Sequence, residues 1–245
     1  MAWCRVGRAG QSTQVDRVAV FQLDVDVEGA QRDVFTGRVV RDNYVIEKYF
    51  LRGEGNYVIP YLLFTPADRS DKVMIYLHPE WKSAEASAGG EIEKFVSQGI
   101  TVLAPDLPGS GEMGPGTLKG DAYFRGVSHN LWYASILIGR SITGILAGDV
   151  NRLAMVVKSG NENAQIIGLA RKEMVPVLLH AAAFSKYFNK VVLDEPYTTY
   201  LSIVKEKFYD PKSVMTGVQG AIDSYDLPDL AASLAPVTVV YSVIP

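Results

Sequence analysis

The chain has 245 residues, of which 48% are hydrophobic and 21% are charged, and its formal net charge is −3. This length fits one large globular domain or at most two small ones, and the charge gives no support for a nucleic-acid surface. The single Cys4 excludes an intrachain disulfide, and three dispersed histidines (His78, His129 and His180) are too few to indicate a zinc site. We therefore expect neither a metal nor another cofactor.

The first forty residues carry the weakest patterns. Residues 1–16 contain no apolar segment of secretory length, so no signal peptide is predicted and a cytoplasmic location is expected. Residues 18–26 alternate apolar and polar side chains, which favours a strand. We therefore divide the chain into an N-terminal extension (1–40), partly strand or disordered, and a main domain (41–245).

The main domain begins with an antiparallel hairpin and continues as alternating strands and helices. Two β-rich runs, 43–52 and 57–64, flank a Gly-Glu-Gly turn. The apolar runs after residue 72 are typical of strands buried on both faces. These strands are expected at 72–79, 100–109, 164–170, 190–196 and 237–245, and helices at 89–99, 129–160, 171–186 and, less regularly, 197–235, where Asp226 or Asp229 caps a short helix. The alternation predicts a mostly parallel, mixed sheet with crossover helices.

The segment 131–150 is the nearest approach to a membrane span. Arg140 and Asp149 interrupt its apolar run, so we interpret it as part of a buried helix. No membrane partner is expected.

Several motifs occur in an order that resembles the α/β-hydrolase fold, closest to its acetylxylan-esterase-like and prolyl-oligopeptidase-like branch. The motifs are "IYLHPE" (75–80), "VLAPDLPGSGEM" (102–113), "GRSITGILAGDVNRLAMVV" (139–157), "IIGLARKEMVPVLLHAAAF" (166–184) and "YDLPDLAASLAPVTVVY" (225–241). They resemble, in turn, the oxyanion loop, the next strand and its turn, the helix before the nucleophile strand, the nucleophile turn, and the strand leading to the acid loop. The resemblance covers about residues 42–245 and implies this fold, with helices on both faces of the sheet and without its last strand and helix.

The resemblance also implies a nucleophile position that carries no nucleophile. Serine hydrolases of this fold place the serine in a G-x-S-x-G turn between strand and helix. Aligned on Gly168, the serine position is Ala170 and the final glycine position is Lys172. A methyl group cannot attack a carbonyl, so this reading predicts a hydrolase turn without its serine. A plain strand-to-helix turn in an unrelated parallel fold is the alternative.

Other residues are candidates for the remaining catalytic parts. Ser110 lies in a glycine-rich turn and is an alternative nucleophile, although Pro108 breaks the G-x-S-x-G pattern. No histidine follows His180, so His78 is the candidate base, with bracing of its loop as the simpler role. Glu195, at the end of a strand, is the best candidate acid, and capping of the next turn is its alternative role.

The oxyanion site is implied by the same resemblance. Its donors would be the backbone N–H of Arg171 and that of Glu80 or Trp81. The Arg171 guanidinium also suits an anion, unless surface ion pairs occupy it.

Three functions remain open from the sequence. The first is a hydrolase-fold protein without a working Ser-His-acid triad, which binds or scaffolds through the former cleft. The second is an active carboxylic-ester hydrolase with a non-standard nucleophile, Ser110 or an activated water, assisted by His78 or His129 and Glu195. The third is an interaction module that oligomerises through an exposed sheet edge. The expected ligand is a small ester, carboxylate or carbohydrate.

Overall fold

The computed structural model describes residues 33–114, 123–124, 127–196 and 199–242. Its strands are β1 (Val34–Val40), β2 (Tyr44–Arg52), β3 (Val58–Pro66), β4 (Lys72–Leu77), β5 (Thr101–Pro105), β6 (Tyr123–Phe124), β7 (Val127–Ser128), β8 (Gln165–Arg171), β9 (Phe188–Asp194) and β10 (Thr238–Ser242). Its α-helices are α1 (Glu91–Val96), α2 (His129–Leu137), α3 (Ile142–Gly160), α4 (Val175–Ala183), α5 (Tyr200–Lys205) and α6 (Leu227–Ser233). The strand predicted at 18–26 lies outside the described residues.

Eight strands form one mixed sheet in the order β1-β2-β3-β5-β4-β8-β9-β10. The first three pairings are antiparallel, and the four pairings from β5 to β10 are parallel. The predicted hairpin is β2–β3, and β1, from the predicted N-terminal extension, adds a strand beside it. Parallel pairing brings the carboxyl ends of β4, β8 and β9 to one edge of the sheet, where ligands bind in open α/β sheets.

Helices cover both faces of the sheet, as predicted. On one face α1 buries Ile92 and Val96, which lie one helical turn apart. On the other face α3 and α4 bury a larger apolar cluster that includes Val150 and Leu178. Near the C-terminal end, Asp226 caps α6 in a capping box with Asp229, so both predicted cap residues take part.

The single helix predicted over 129–160 is wrong, because the structure has two helices, α2 and α3, with an 88° bend between them. Gly139 adopts a φ of 73°, and the Ser141 hydroxyl caps α3 by accepting from the Gly144 N–H at 3.0 Å. A left-handed glycine followed by a capping serine ends one helix and begins the next. Within the described residues no single helix is long and apolar enough to cross a membrane, and α2 and α3 meet that criterion only when taken together.

Gly168 in β8 allows α4 to pack closely on the sheet. A Cβ atom built at this position would lie 2.5 Å from Leu178 Cδ1 and 3.2 Å from Phe188 Cδ1. Both neighbours are buried, so neither can withdraw without disturbing the core. The glycine is therefore required by packing, and its backbone keeps ordinary strand geometry.

His180 lies fully buried in α4 and has a hydrogen-bond partner for each ring nitrogen. Nδ1 lies 2.6 Å from the Pro176 carbonyl oxygen, so this nitrogen carries the hydrogen and donates it. Nε2 then accepts from the Tyr225 hydroxyl at 3.0 Å. Burial lowers the pKa of His180 to about 4. Both ring nitrogens are therefore satisfied inside the core, and the role of His180 is structural.

We expect Gly168→Ala to lower the free energy of unfolding by about 1–3 kcal/mol, because the new methyl group overpacks the contact with α4. Urea unfolding followed by circular dichroism measures this change. Gly160→Ala is the matched control, since a Cβ there meets no atom within 4 Å. An equal effect at both positions would contradict the packing role.

The His180 environment predicts a pH dependence of stability. Its folded pKa of about 4 lies below the unfolded value of 6.5, so the unfolded chain binds more protons between these pH values. This histidine therefore contributes stability above pH 6.5 that is lost as the pH falls to 4, by about 3 kcal/mol. We expect the difference in unfolding free energy between wild type and His180→Gln to shrink over that window.

Asp149 titrates in the same window and in the opposite direction, because burial raises its pKa to about 6. Its contribution is common to both proteins and cancels in the difference. A pH-independent difference between wild type and His180→Gln would contradict the assigned ionisation of His180.

Candidate functional site

A cavity of about 450 Å³ opens at the carboxyl ends of β4, β8 and β9, and we call it the cleft. Its lining consists of His78, Pro79, Glu80, Trp81, Ala84, Glu85, Arg171, Lys172, Glu173, Glu195 and Lys212. Five residues singled out from the sequence are thus together here: His78, Glu80, Trp81, Arg171 and Glu195. The described residues that line the cleft include no hydroxyl or thiol side chain.

The sharp turn after β8 lies at Lys172, two residues beyond the position predicted from the sequence. Ala170 is a fully buried strand residue that pairs with Leu77 on one side and Leu193 on the other. Lys172 has a φ of 47°, which is unusual for a residue other than glycine. The assignment of Ala170 to the turn is therefore corrected, because the structure keeps it in the sheet and reverses the chain at Lys172.

Lys172 faces Glu195, which follows the adjacent strand β9. Their Nζ and Oε2 atoms lie 3.5 Å apart, and both side chains are about half exposed. Glu195 also has a positive φ, 48°, so the two strained non-glycine residues of the described chain meet in one ion pair. Strained backbone of this kind concentrates at functional sites.

Arg171 is occupied by carboxylates from three parts of the chain. Its nitrogens lie 3.0 Å from Glu91 Oε2, 3.0 Å from Asp194 Oδ2 and 3.7 Å from Glu85 Oε1. Tyr76 adds a hydrogen bond to Glu91 at 2.5 Å. The guanidinium therefore holds β9, α1 and the loop before α1 together, and it is not free to receive an anionic ligand.

His78 braces its own loop in the structure. Its Nδ1 accepts from the Glu80 N–H at 3.2 Å, so the neutral ring carries its hydrogen on Nε2. Burial, followed by the positive charge of Arg171, lowers the pKa of His78. The Glu80 amide, one of the expected oxyanion donors, is consequently already engaged.

Ser110 does not reach the cleft, which removes the geometric basis for its candidacy as nucleophile. Its side chain is buried, and its hydroxyl donates to the Leu107 carbonyl at 2.9 Å and accepts from the Leu107 N–H at 3.2 Å. These bonds close its own turn. His129, the first residue of α2, also lies outside the set that lines the cleft.

Asp106 positions the loop that carries Trp81, and sequence reasoning missed it. Its buried carboxylate accepts from the Lys82 N–H at 2.6 Å, the Lys82 ammonium at 2.5 Å and the Glu112 N–H at 2.9 Å. Gly111 completes the link through its N–H, which donates to the Glu80 carbonyl at 2.8 Å. Asp106 and Gly111 both belong to the "PDLPGSGEM" motif (105–113), so the residues that perform this role were within a motif already singled out.

Glu173 and Lys212 also line the cleft and were not predicted. Because the turn lies at Lys172, the backbone N–H that follows the turn belongs to Glu173. Arg171, which was predicted to supply this oxyanion donor, remains in β8. Its Oε1 lies 3.7 Å from Lys212 Nζ, and its Oε2 is buried without a hydrogen-bond partner. A ligand donor would satisfy that oxygen. Within the described ranges, no three His, Cys, Asp or Glu side chains are arranged to hold a metal ion.

No family model matches this chain, and no curated protein does. Solved structures do match. A proposed acetyl xylan esterase from Bacteroides fragilis aligns with a TM-score of 0.67 and 14% identity, over 89% of this chain and 64% of that protein. Acetyl xylan esterase 1 from Thermoanaerobacterium sp. aligns with a TM-score of 0.59 and 14% identity, over 88% and 81%.

A third structure, the acetyl xylan esterase from Paenibacillus sp. R4, aligns with a TM-score of 0.56 and 14% identity, over 88% of this chain and 70% of that protein. Identity this low supports the fold alone. Together with the eight-stranded mixed sheet between two layers of helices, it shows that the chain has the α/β-hydrolase fold.

Proposed function

We propose that this protein binds a small carbohydrate or carbohydrate ester in the cleft and does not hydrolyse it through a Ser-His-acid triad. The observation that carries this proposal is the residue at the turn after β8. Lys172 stands where a serine hydrolase of this fold has its nucleophile, and it is ion-paired with Glu195 at 3.5 Å. An ammonium in an ion pair is protonated and holds no free electron pair for attack.

The chemistry of the cleft supports binding of a polyhydroxylated ligand. Trp81 is 50% exposed and offers an apolar ring face, while Glu173 and Glu195 offer carboxylate acceptors beside it. A cleft that combines one aromatic surface with a few polar groups is typical of small-molecule sites. Within the described residues the Trp81 N–H has no acceptor, so it remains available to a ligand oxygen.

The structural neighbours support the same ligand class, because the three compared above are named as acetyl xylan esterases. The active-hydrolase alternative can no longer use Ser110 as its nucleophile, because the Ser110 hydroxyl forms hydrogen bonds within its own turn. An activated water is the nucleophile that remains for that alternative. The oligomerising alternative stays a proposal. It rests on β10, which within the described chain pairs only with β9 and exposes 62% of Tyr241.

We expect purified protein to hydrolyse p-nitrophenyl acetate no faster than buffer and to remain unlabelled by a fluorophosphonate serine probe. Lys172→Ala should behave identically, since Lys172 is not a nucleophile. Turnover that is lost in Lys172→Ala or Ser110→Ala would show that one of these residues does chemistry, and would overturn the proposal.

We expect xylotriose or its acetylated form to bind the wild-type protein in titration calorimetry, and Trp81→Ala to weaken that binding by about tenfold, or 1.4 kcal/mol. Tyr133→Ala is the matched control, because Tyr133 is 54% exposed and lies outside the cleft. Equal loss in both variants, or no binding by the wild type, would argue against a sugar site at Trp81.

A further inference from the structure

The side chains around the cleft carry an excess of negative charge. The charged members of its lining are four carboxylates (Glu80, Glu85, Glu173 and Glu195) and three cations (Arg171, Lys172 and Lys212). Glu91 and Asp194 place two further carboxylates on Arg171, so negative side chains outnumber positive ones by three. His78 does not offset this excess, because burial and the neighbouring Arg171 lower its pKa and keep the ring neutral at neutral pH. The field in the cleft therefore favours a positively charged ligand.

Each cation in the lining of the cleft already has a carboxylate partner. Lys172 Nζ lies 3.5 Å from Glu195 Oε2, and Lys212 Nζ lies 3.7 Å from Glu173 Oε1. Arg171 is shared among three carboxylates. The described lining therefore offers an anionic ligand no cationic side chain that is still without a partner.

Glu80 is a carboxylate of the lining that has no cation beside it. Its side chain is exposed, and within the described ranges no lysine, arginine or histidine nitrogen lies within ion-pair distance of it. Its backbone is held on both sides, because its N–H donates to His78 Nδ1 at 3.2 Å and its carbonyl accepts from the Gly111 N–H at 2.8 Å. A rigid loop thus presents an uncompensated carboxylate to the cleft.

Trp81 follows Glu80 directly and adds an aromatic surface. Half of its side chain is exposed. An aromatic ring packs against the apolar face of a sugar ring, and its π-electrons attract a cation placed over it. Glu173 supplies a further acceptor, since its Oε2 has no hydrogen-bond partner. A carboxylate next to an aromatic face is suited to an ammonium group carried on a sugar.

We propose that the ligand of the cleft is an amino sugar, an oligosaccharide whose protonated amine is held between the Glu80 carboxylate and the ring of Trp81. This assignment rests on the proposed function, because it takes the cleft to be a sugar site and names the class of sugar. A bare polyamine would match the charge of the cleft, but it would leave the flat face of Trp81 without a ring to pack against.

Two trisaccharides of the same linkage test the proposal: the β-1,4 trimer of glucosamine, and cellotriose, which has a hydroxyl group in place of each ammonium group. Titration calorimetry of the full chain is performed at low salt and a pH of about 6, where glutamates are ionised and the amines are protonated. An exposed ion pair and a cation–π contact each contribute about two- to fivefold in affinity, so the glucosamine trimer should bind about tenfold more tightly than cellotriose. Salt of about 1 M should shrink that difference and leave cellotriose binding unchanged.

Glu80→Gln keeps the shape of the side chain and removes its charge. It should weaken binding of the glucosamine trimer by about threefold and leave cellotriose binding unchanged. Glu162→Gln is the matched control, because Glu162 is an exposed glutamate outside the cleft and the change of charge is the same. Trp81→Ala should weaken the binding of both trisaccharides.

The outcomes separate this assignment from the proposed function. Binding of cellotriose without a preference for the glucosamine trimer would overturn the amino-sugar assignment and leave the sugar site standing, whereas binding of neither trisaccharide would overturn both. Equal effects of Glu80→Gln and Glu162→Gln would also overturn the assignment. So would tighter binding of trigalacturonate than of cellotriose, or spermidine binding that matches the glucosamine trimer and is insensitive to Trp81→Ala.

Discussion

The reversal of the chain at Lys172 is the constraint on which the cleft depends. A lysine with positive φ costs about 1–2 kcal/mol relative to ordinary backbone, and the fold maintains that conformation between a buried strand and a buried helix. The turn directs the Lys172 side chain toward the carboxyl end of β9, where Glu195 has the same unusual φ sign. The two residues thereby form an ion pair at the place where this fold usually performs acyl transfer.

Ion pairs around Arg171 hold the base of the cleft together, and their charges affect which ligands the cleft can bind. Arg171 is surrounded by Glu85, Glu91 and Asp194, so three carboxylates share one guanidinium. Removing Arg171 would be costly, because the carboxylates around it would lose the cation that compensates their charge. The excess of carboxylates also disfavours an anionic ligand, which is why a neutral sugar or ester suits the cleft better than a free carboxylate.

Much of the fold could be predicted because its signals are local. Short apolar runs mark the buried parallel strands, and the order of the motifs indicated the hydrolase architecture. The bend between α2 and α3 was missed because the apolar pattern runs up to Gly139 and does not reveal the features that separate the helices, which are the left-handed conformation of Gly139 and the capping role of Ser141. The strand ends were less accurate, since β5 ends at Pro105 and not at residue 109 as predicted. Several positions lining the cleft, such as His78 and Glu195, followed from the same reasoning.

The turn itself could not be placed from the sequence. Gly168 and Ala170 are both small, so either residue could satisfy the packing before the turn. What requires a glycine at 168 is the close approach of Leu178, which is a tertiary contact. Lys212 comes from a distant segment with no motif. Glu173 could be assigned to the cleft only once the position of the turn was known. Residues brought together by tertiary packing leave no signal in local spacing.

A high-resolution crystal structure of the protein, with and without a bound sugar, would locate the turn after β8 and the side chains that face the cleft. We expect positive φ at Lys172, its ammonium beside the Glu195 carboxylate in the free protein, and Ala170 buried within β8. A turn centred on Ala170, with its methyl group facing the cleft and Lys172 in ordinary helical geometry, would contradict this expectation.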